Sequence, residues 1–317
     1  MSSRSHLSEL NEKRSMIFTI IIASLIISFS ILFLSKLYLD RKYTETKDVQ
    51  TISINSVNFP TIQLGHYALW GITKSDTTLF LKRFNAIDEQ LKNLDGSDLL
   101  QLQIEPTVDL ESLFVTIENE GDRDEIPNDF IFMESKLTDK KALLTFVLDI
   151  SDSDNSFILS SPTDGNSTIN EQSGVWFKDA KENKNSLTLP KLPSHFRYQA
   201  RVFNSSNDKP LNVGSFTNTA EADDSRVYSL SFDGYNYPGE DFLRNLPQPL
   251  EAPLNLANGE YSINISVEPF KDNTDPTGDD VFLEILTADI ASNYKPQESI
   301  NLNLTYLPIE MNIEIDE

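Results

Sequence analysis

Cysteine is absent from the chain, which removes disulfides, thiolate metal sites and cysteine nucleophiles together. Histidine is scarce: His6, His66 and His195 are the only three, and none stands at a metal-ligand spacing such as H-E-x-x-H. Basic residues are in deficit, 26 Lys and Arg against 49 Asp and Glu, and the resulting net charge of −23 repels phosphate backbones, so no nucleic-acid partner is expected. A G-x-S-x-G elbow and a phosphate-cradling glycine loop are also missing. No catalytic residue and no cofactor is expected, and the chain reads as non-enzymatic.

What is present is apolar material for cores: 39% hydrophobic residues, with 19 Phe and 10 Tyr, despite the charge. From Ser15 to Ser35 no charged residue occurs, and the run from Met16 to Leu34 is dominated by Ile, Leu and Phe. As one helix it would span about 30 Å, the thickness of bilayer hydrocarbon. The expectation is an uncleaved signal anchor at residues 15–35, with residues 1–14 as a cytoplasmic tail and 36–60 as a polar juxtamembrane stalk. Lys and Arg flank the run on both sides, so charge does not orient it; the bulk of the chain is expected outside the cell membrane because long domains translocate largely regardless of charge.

Beyond the stalk, β-branched and aromatic runs alternate with turn-rich clusters, the pattern of many short strands. Examples are Tyr67–Ile72, Leu113–Ile117, Leu143–Leu148, Tyr198–Phe203, Tyr261–Val267 and Val281–Leu286. The alternation is strict from Tyr261 to Val267, which predicts one face packed and the other in water. Ile87, Leu91 and Leu94, followed by Gly96, predict a short amphipathic helix. Residues 151–172 have the composition of a linker. The predicted fold is all-β, with two tandem β-sandwich-like domains at 61–150 and 173–317 behind one transmembrane helix.

The two halves show an ordered internal duplication. Tyr67–Ile72 aligns with Tyr198–Phe203, and in each half a second strand ends in phenylalanine, Phe84 or Phe216, at 17 or 18 positions from the tyrosine. Val115-Thr116-Ile117-Glu118 matches Ile265-Ser266-Val267-Glu268, and an acidic loop with a proline follows each.

These motifs resemble the extracytoplasmic domain of the anti-sigma-K factor family, which carries an aromatic-x-Leu-Trp strand, a strand ending near Gly-x-Phe, and a Thr-Ile/Val-Glu-Pro strand before a Pro-Thr-Gly loop. Tyr67-Ala68-Leu69-Trp70 supplies the first in one copy. Val213-Gly214-Ser215-Phe216, Val267-Glu268-Pro269 and Pro276-Thr277-Gly278 supply the others in the second, where Arg201 replaces the tryptophan. The resemblance implies the exterior fold and a single-pass layout. It does not extend to the helical sigma-binding domain, since residues 1–14 are too few for one.

Candidate chemistry is sparse. Asp272, Asp275, Asp279 and Asp280 crowd one loop, an oxygen-rich set able to hold calcium, although a solvated turn is the simpler reading. Glu118 and Glu268 are expected to accept backbone hydrogen bonds at loop bases. Trp70 and Trp176 are expected in cores, and residues 239–246 are expected to make one helical turn that protects a sheet edge or presents Phe242 to a partner. The expected role is interaction, sensing or scaffolding at the membrane, with a protein partner of unknown identity; the alternative is an anti-sigma-like transmembrane regulator acting through a separate cytoplasmic subunit.

Overall fold

The computed structural model describes residues 28–36 and 49–316, except 63, 106–107, 151–154, 166 and 271–280. Two units result, Met1–Val49 and Gln50–Glu317. In the first, residues 28–36 are helical, a length of about 13 Å at 1.5 Å per residue. Among the described residues no helix is long and apolar enough to cross a membrane. The expected anchor at 15–35 is therefore corrected, and with it the signal-anchor layout, the membrane as partner and the single-pass location outside the cell. An uncharged run supports a span only when the whole run forms one helix, and here the described helix covers less than half a bilayer. Residues 1–27 and 37–48 lie outside the described residues.

The second unit is all-β, built from four antiparallel sheets. Its first half supplies β1 (Gln50–Val57), β2 (Gly65–Thr73), β3 (Thr78–Ile87), β4 (Gln90–Asn93), β5 (Gln101–Ile104), β6 (Leu110–Asn119), β7 (Ile131–Lys136) and β8 (Lys141–Phe146). Then follow β9 (Ser156–Leu159), β10 (Gly174–Trp176), β11 (Phe196–Asn204), β12 (Asn207–Phe216), β13 (Gly239–Asp241), β14 (Tyr261–Pro269), β15 (Leu283–Ile290), β16 (Ile300–Asn301), β17 (Asn303–Leu304) and β18 (Ile309–Ile315). Sheets ordered β5-β1-β18-β8 and β4-β3-β2-β6-β7 face each other as a first sandwich, meeting at β1 and β4, β3 and β5, and β6 and β8, and sheets β13-β10-β9-β16 and β12-β11-β14-β15-β17 as a second, meeting at β12 and β13.

The sandwiches are not simply tandem, because the first takes a middle strand from the far end of the chain. β18, the last strand, pairs with β1 and β8 of the first sandwich. β9, inside the stretch expected as a linker, pairs with β10 and β16 of the second. Alternation explains why β18 fits there: Ile309, Met311, Ile313 and Ile315 are buried while Asn312 and Glu314 are exposed, the period-2 pattern of a half-buried strand.

The duplication appears residue by residue. Tyr67 pairs with Phe84 and Tyr198 with Phe216, and in each case a bulge follows three residues along, between Leu69 and Trp70 or between Ala200 and Arg201. The rings lie 5.4 and 5.6 Å apart. Each tyrosine hydroxyl donates to the carbonyl of a preceding proline, Tyr67 to Pro60 at 2.9 Å and Tyr198 to Pro190 at 2.6 Å. Between the sandwiches one hydrophobic core is continuous. Phe130 and Phe146 meet Phe196 at 5.1 and 5.2 Å, and Phe132 meets Phe282 at 5.7 Å; each such buried ring stabilises by about 1.5–3 kcal/mol relative to exposure.

Three local expectations change. Ile87 and Gln90 pair across a hairpin in which Asp88 and Glu89 have φ of 50° and 64°, so a two-residue turn with both centres left-handed replaces the predicted helix. Residues 239–241 are a strand and Phe242 is buried, so no helical turn presents Phe242 to a partner. On β14 the polar face is also buried, with Asn264, Ser266 and Glu268 at 3%, 0% and 0% exposure; there Arg201 of β11 donates to Ser266 and Glu268, and Asn264 Nδ2 donates to Glu284 of β15 at 3.0 Å.

Candidate functional site

Asp272, Asp275, Asp279 and Asp280 lie outside the described residues. Their counterpart loop in the first copy is described, and its carboxylates serve its own turns: Asp122 accepts from the Asp124 amide at 3.1 Å and Asp124 from the Ile126 amide at 2.9 Å. Among the described residues no group of three or more His, Asp or Glu is placed to hold a metal ion.

Glu118 and Glu268 take equivalent places at the ends of β6 and β14. Glu118 accepts from the Thr116 hydroxyl and, at 3.4 Å, from the Asn128 amide. Thr116 in turn accepts from Trp70 Nε1 at 2.8 Å. In the second copy Glu268 accepts from Ser266, from the Phe282 amide at 3.2 Å, and from Arg201 at 2.6 Å. The backbone-accepting role expected for both glutamates is present, and Arg201 stands where Trp70 does. Trp70 and Trp176 are buried, at 1% and 4% exposure.

His66 lies opposite Glu118 in the sheet and is buried. Its Nε2 and Glu118 Oε2 make no hydrogen bond among the described residues. Burial, reinforced by Arg83 and Arg123, lowers the His66 pKa to about 4, while burial raises that of Glu118. His195 sits in the left-handed region at φ 67°, 3.6 Å from Asp129.

The strongest concentration of perturbed groups is elsewhere, beneath the irregular segment 217–238 that joins β12 to β13. Asp223 accepts from the amides of Ser225 at 2.8 Å and Gly239 at 2.6 Å. Glu240 accepts from the hydroxyls of Ser225, at 3.0 Å, and Ser229. Asp241 accepts from the Thr163 amide at 2.8 Å, the Thr163 hydroxyl, and Trp176 Nε1 at 2.7 Å. Desolvation dominates in all three: it pushes Asp223 up to about 7 and Asp241 up to about 6, and it raises Glu240, against the opposing effect of these donors.

These carboxylates staple the segment down, and beside them a cleft of about 220 Å³ opens, lined by Trp176, Asp223, Arg226, Asp233, Tyr235 and Tyr237, with Ser225 and Ser229. Tyr235 stands edge-on to Trp176 at 5.3 Å, and its hydroxyl is 3.2 Å from Ser160 Oγ. Gly234 lies so close to the Trp176 ring that a Cβ there would come within 2.2 Å of it, and a Cβ at Gly214 would meet the Asp223 carboxyl at the same distance. Both close approaches require glycine. The larger concavity, about 670 Å³, lies on the outer face of the β1 sheet among Ser53, Asn55, Lys141, Leu143, Asn312 and Glu314; it has no aromatic wall.

None of Asp223, Glu240, Asp241 or Tyr235 emerged from the sequence as a site residue. The available signal was length: the interval from Phe216 to Glu268 is about half again that from Phe84 to Glu118, so the second copy carries material that the first does not. Comparison of the chain with family models, curated proteins and solved structures returned no match.

Proposed function

We propose that the Gln50–Glu317 body is a non-enzymatic binding module, made of two copies of the sandwich that the anti-sigma-K resemblance implies, and that the second copy takes a small, uncharged, hydroxyl-rich ligand such as a sugar ring in the Trp176–Tyr235–Tyr237 cleft. The observation that carries this reading is the use of the carboxylates. Glu240 and Asp241 are both 0% exposed and engaged in holding 163 and 225–229, so they reach no substrate; Asp223, the raised carboxylate that lines the cleft, is held by the Ser225 and Gly239 amides. What faces the cleft is a set of aromatic rings with Asp223, Asp233 and Arg226, a combination that offers an apolar face together with hydrogen-bonding groups. Anionic ligands are disfavoured, since Asp223 and Asp233 outnumber Arg226, whose guanidinium already donates to the Phe232 carbonyl at 2.8 Å. Long irregular segments in a packed domain are more often functional than incidental.

The test is saturation-transfer NMR on the full chain with glucose, galactose and N-acetylglucosamine at millimolar concentration. Ring-proton saturation with at least one sugar, reduced about tenfold in Tyr235→Ala and in Asp233→Asn with the circular-dichroism spectrum unchanged, is the expected result. Absence of saturation with all three, or saturation that survives both substitutions, rejects the reading.

A further inference from the structure

We propose that Gln297, which does not itself line the Trp176–Tyr235–Tyr237 cleft, is its positioning residue: from the loop that joins β15 to β16 it holds the Tyr235 hydroxyl and so fixes the ring wall against which a ligand packs. This rests on the binding reading given above and adds to it the device that sets the shape of the site. Ser160, at the end of β9, is 2% exposed, and a serine hydroxyl has one proton to donate and two lone pairs with which to accept. It donates to Glu171 Oε2 at 3.1 Å, accepts from Gln297 Nε2 at 2.7 Å, and lies 3.2 Å from the Tyr235 hydroxyl. With its one proton on Glu171, Ser160 can only accept from Tyr235. The Tyr235 proton therefore points at Ser160, and the Tyr235 oxygen accepts from Gln297 Nε2 at 3.4 Å.

The other polar tips of the wall are likewise engaged within the protein: Trp176 Nε1 donates to Asp241 at 2.7 Å and the Tyr237 hydroxyl to the Asn183 carbonyl at 2.7 Å. All three side chains thus offer a ligand ring surface rather than a polar tip. Lys178 Nζ lies 5.3 Å from the centre of the Tyr235 ring, which Trp176 meets edge-on, so the orientation of that ring decides what the cleft admits. The backbone of Gln297 fits the same role. Its φ of 60° lies in the left-handed region that glutamine rarely adopts, and its amide donates to the carbonyl of Leu159, the residue before Ser160, at 3.0 Å. Nearby, Gln172 Nε2 donates to the Tyr294 carbonyl at 2.8 Å and pins the start of the loop. Glycine or asparagine would adopt this backbone with less strain, but glycine has no side chain and that of asparagine is one carbon too short to carry Nε2 to Ser160 and Tyr235.

The test uses nitrogen-labelled full chain, whose only two tryptophans, Trp70 and Trp176, give the only indole N–H signals. Trp176 reports the cleft wall, and Trp70, on β2 of the first sandwich, reports the fold. Gln297→Leu keeps the bulk of the side chain and removes its donor. The expected result is a displaced Trp176 signal with Trp70 unmoved, the same displacement in Tyr235→Phe, and little further movement when the two are combined, because both act through one hydroxyl. The affinity for whichever of glucose, galactose and N-acetylglucosamine binds should fall about fivefold in Gln297→Leu, the equivalent of one hydrogen bond, and no further in the double variant than in Tyr235→Phe. A Trp176 signal that stays in place in Gln297→Leu overturns the proposal. So does movement of both indole signals, or an affinity loss as large in the Tyr235→Phe background as in the natural chain. If no sugar binds, the binding reading fails by itself, and the Trp176 signal alone decides whether Gln297 holds Tyr235.

Discussion

Glu118 and Glu268 occupy the same position in two copies of one fold, and the two copies neutralise that buried charge differently. In the second sandwich Arg201 reaches Glu268 at 2.6 Å with both side chains buried, a cation supplied from the neighbouring strand. In the first, Trp70 holds the place of Arg201, bonding only Thr116, so Glu118 keeps one oxygen without a partner among the described residues and burial raises its pKa. A buried carboxylate needs either a counter-charge or a proton. The scaffold of hydroxyl, loop amide and glutamate is constant; the residue three positions along from the tyrosine, Arg201 or Trp70, decides whether a counter-charge is supplied.

The same substitution at the two positions should therefore have unequal effects. Glu268→Gln removes the counter-charge from a buried guanidinium and is expected to cost about 3–5 kcal/mol. Glu118→Gln keeps an acceptor for Thr116 and Asn128 and replaces a bare oxygen by a donor, so its cost is expected to stay under about 1 kcal/mol. Urea unfolding midpoints of the two variants decide it, and equal losses would break the distinction between a glutamate with a counter-charge and one without.

Much of the repeated scaffold was legible because it is local. Tyr67 with Phe84 and Tyr198 with Phe216 are neighbours on hairpins, so their near-equal spacing in sequence survives as pairing in space. The helix predicted from Ile87, Leu91 and Leu94 failed because two left-handed turn residues, Asp88 and Glu89, reverse the chain in the middle of the pattern, and neither is a glycine or asparagine that would have signalled it. β18 was assigned to the second domain because pairing of a strand with partners from the far end of the chain leaves no trace in local pattern. Asp223, Glu240 and Asp241 resemble any other acidic residues in a chain of this charge; only their burial distinguishes them, and burial is a tertiary property. The apolar run at 16–34 was read from composition alone, and the described part of it makes a helix too short for the inference drawn.

The sandwiches also differ in how they respond to acid. The His66 pKa is lowered from 6.5 to about 4 in the folded chain, so between those values the unfolded state binds more protons and stability around β2 falls as pH falls, by roughly 2–3 kcal/mol from this group by pH 4. Asp223 and Asp241 are shifted the other way, to about 7 and about 6 from 3.8; there the folded state binds more protons, and stability around β13 rises as pH falls from about 7 toward 4. Both sandwiches share one core, so the contrast is best read locally, by amide hydrogen exchange at Tyr67 and Ala68 against Val175 and Trp176 at pH 4.5 and 7. Opposite changes in protection are expected, with His66→Gln flattening the first and Asp223→Asn the second. Parallel changes at both sites would mean that global unfolding, not these groups, governs exchange.

The finest comparison is between the two tyrosines. Tyr67 and Tyr198 are buried, at 0% and 1% exposure, and each hydroxyl is spent on a proline carbonyl that ties the incoming segment to its strand. Burial holds both phenols well above the usual tyrosine range, so both remain donors around neutral pH. Tyr67→Phe and Tyr198→Phe each delete one buried hydrogen bond and leave a carbonyl unsatisfied without changing the ring contacts to Phe84 and Phe216. Each should cost about 1 kcal/mol, independent of pH, and the two values should agree to within about 0.5 kcal/mol, the scatter expected for independent sites. Because His66, Asp223 and Asp241 titrate and the tyrosines do not, the agreement should hold at pH 5 and at pH 8 alike. A gap between the two costs that opened with pH would show that the tyrosine tie in one copy is coupled to its titrating neighbours, and the two copies would then be equivalent in geometry but not in energetics.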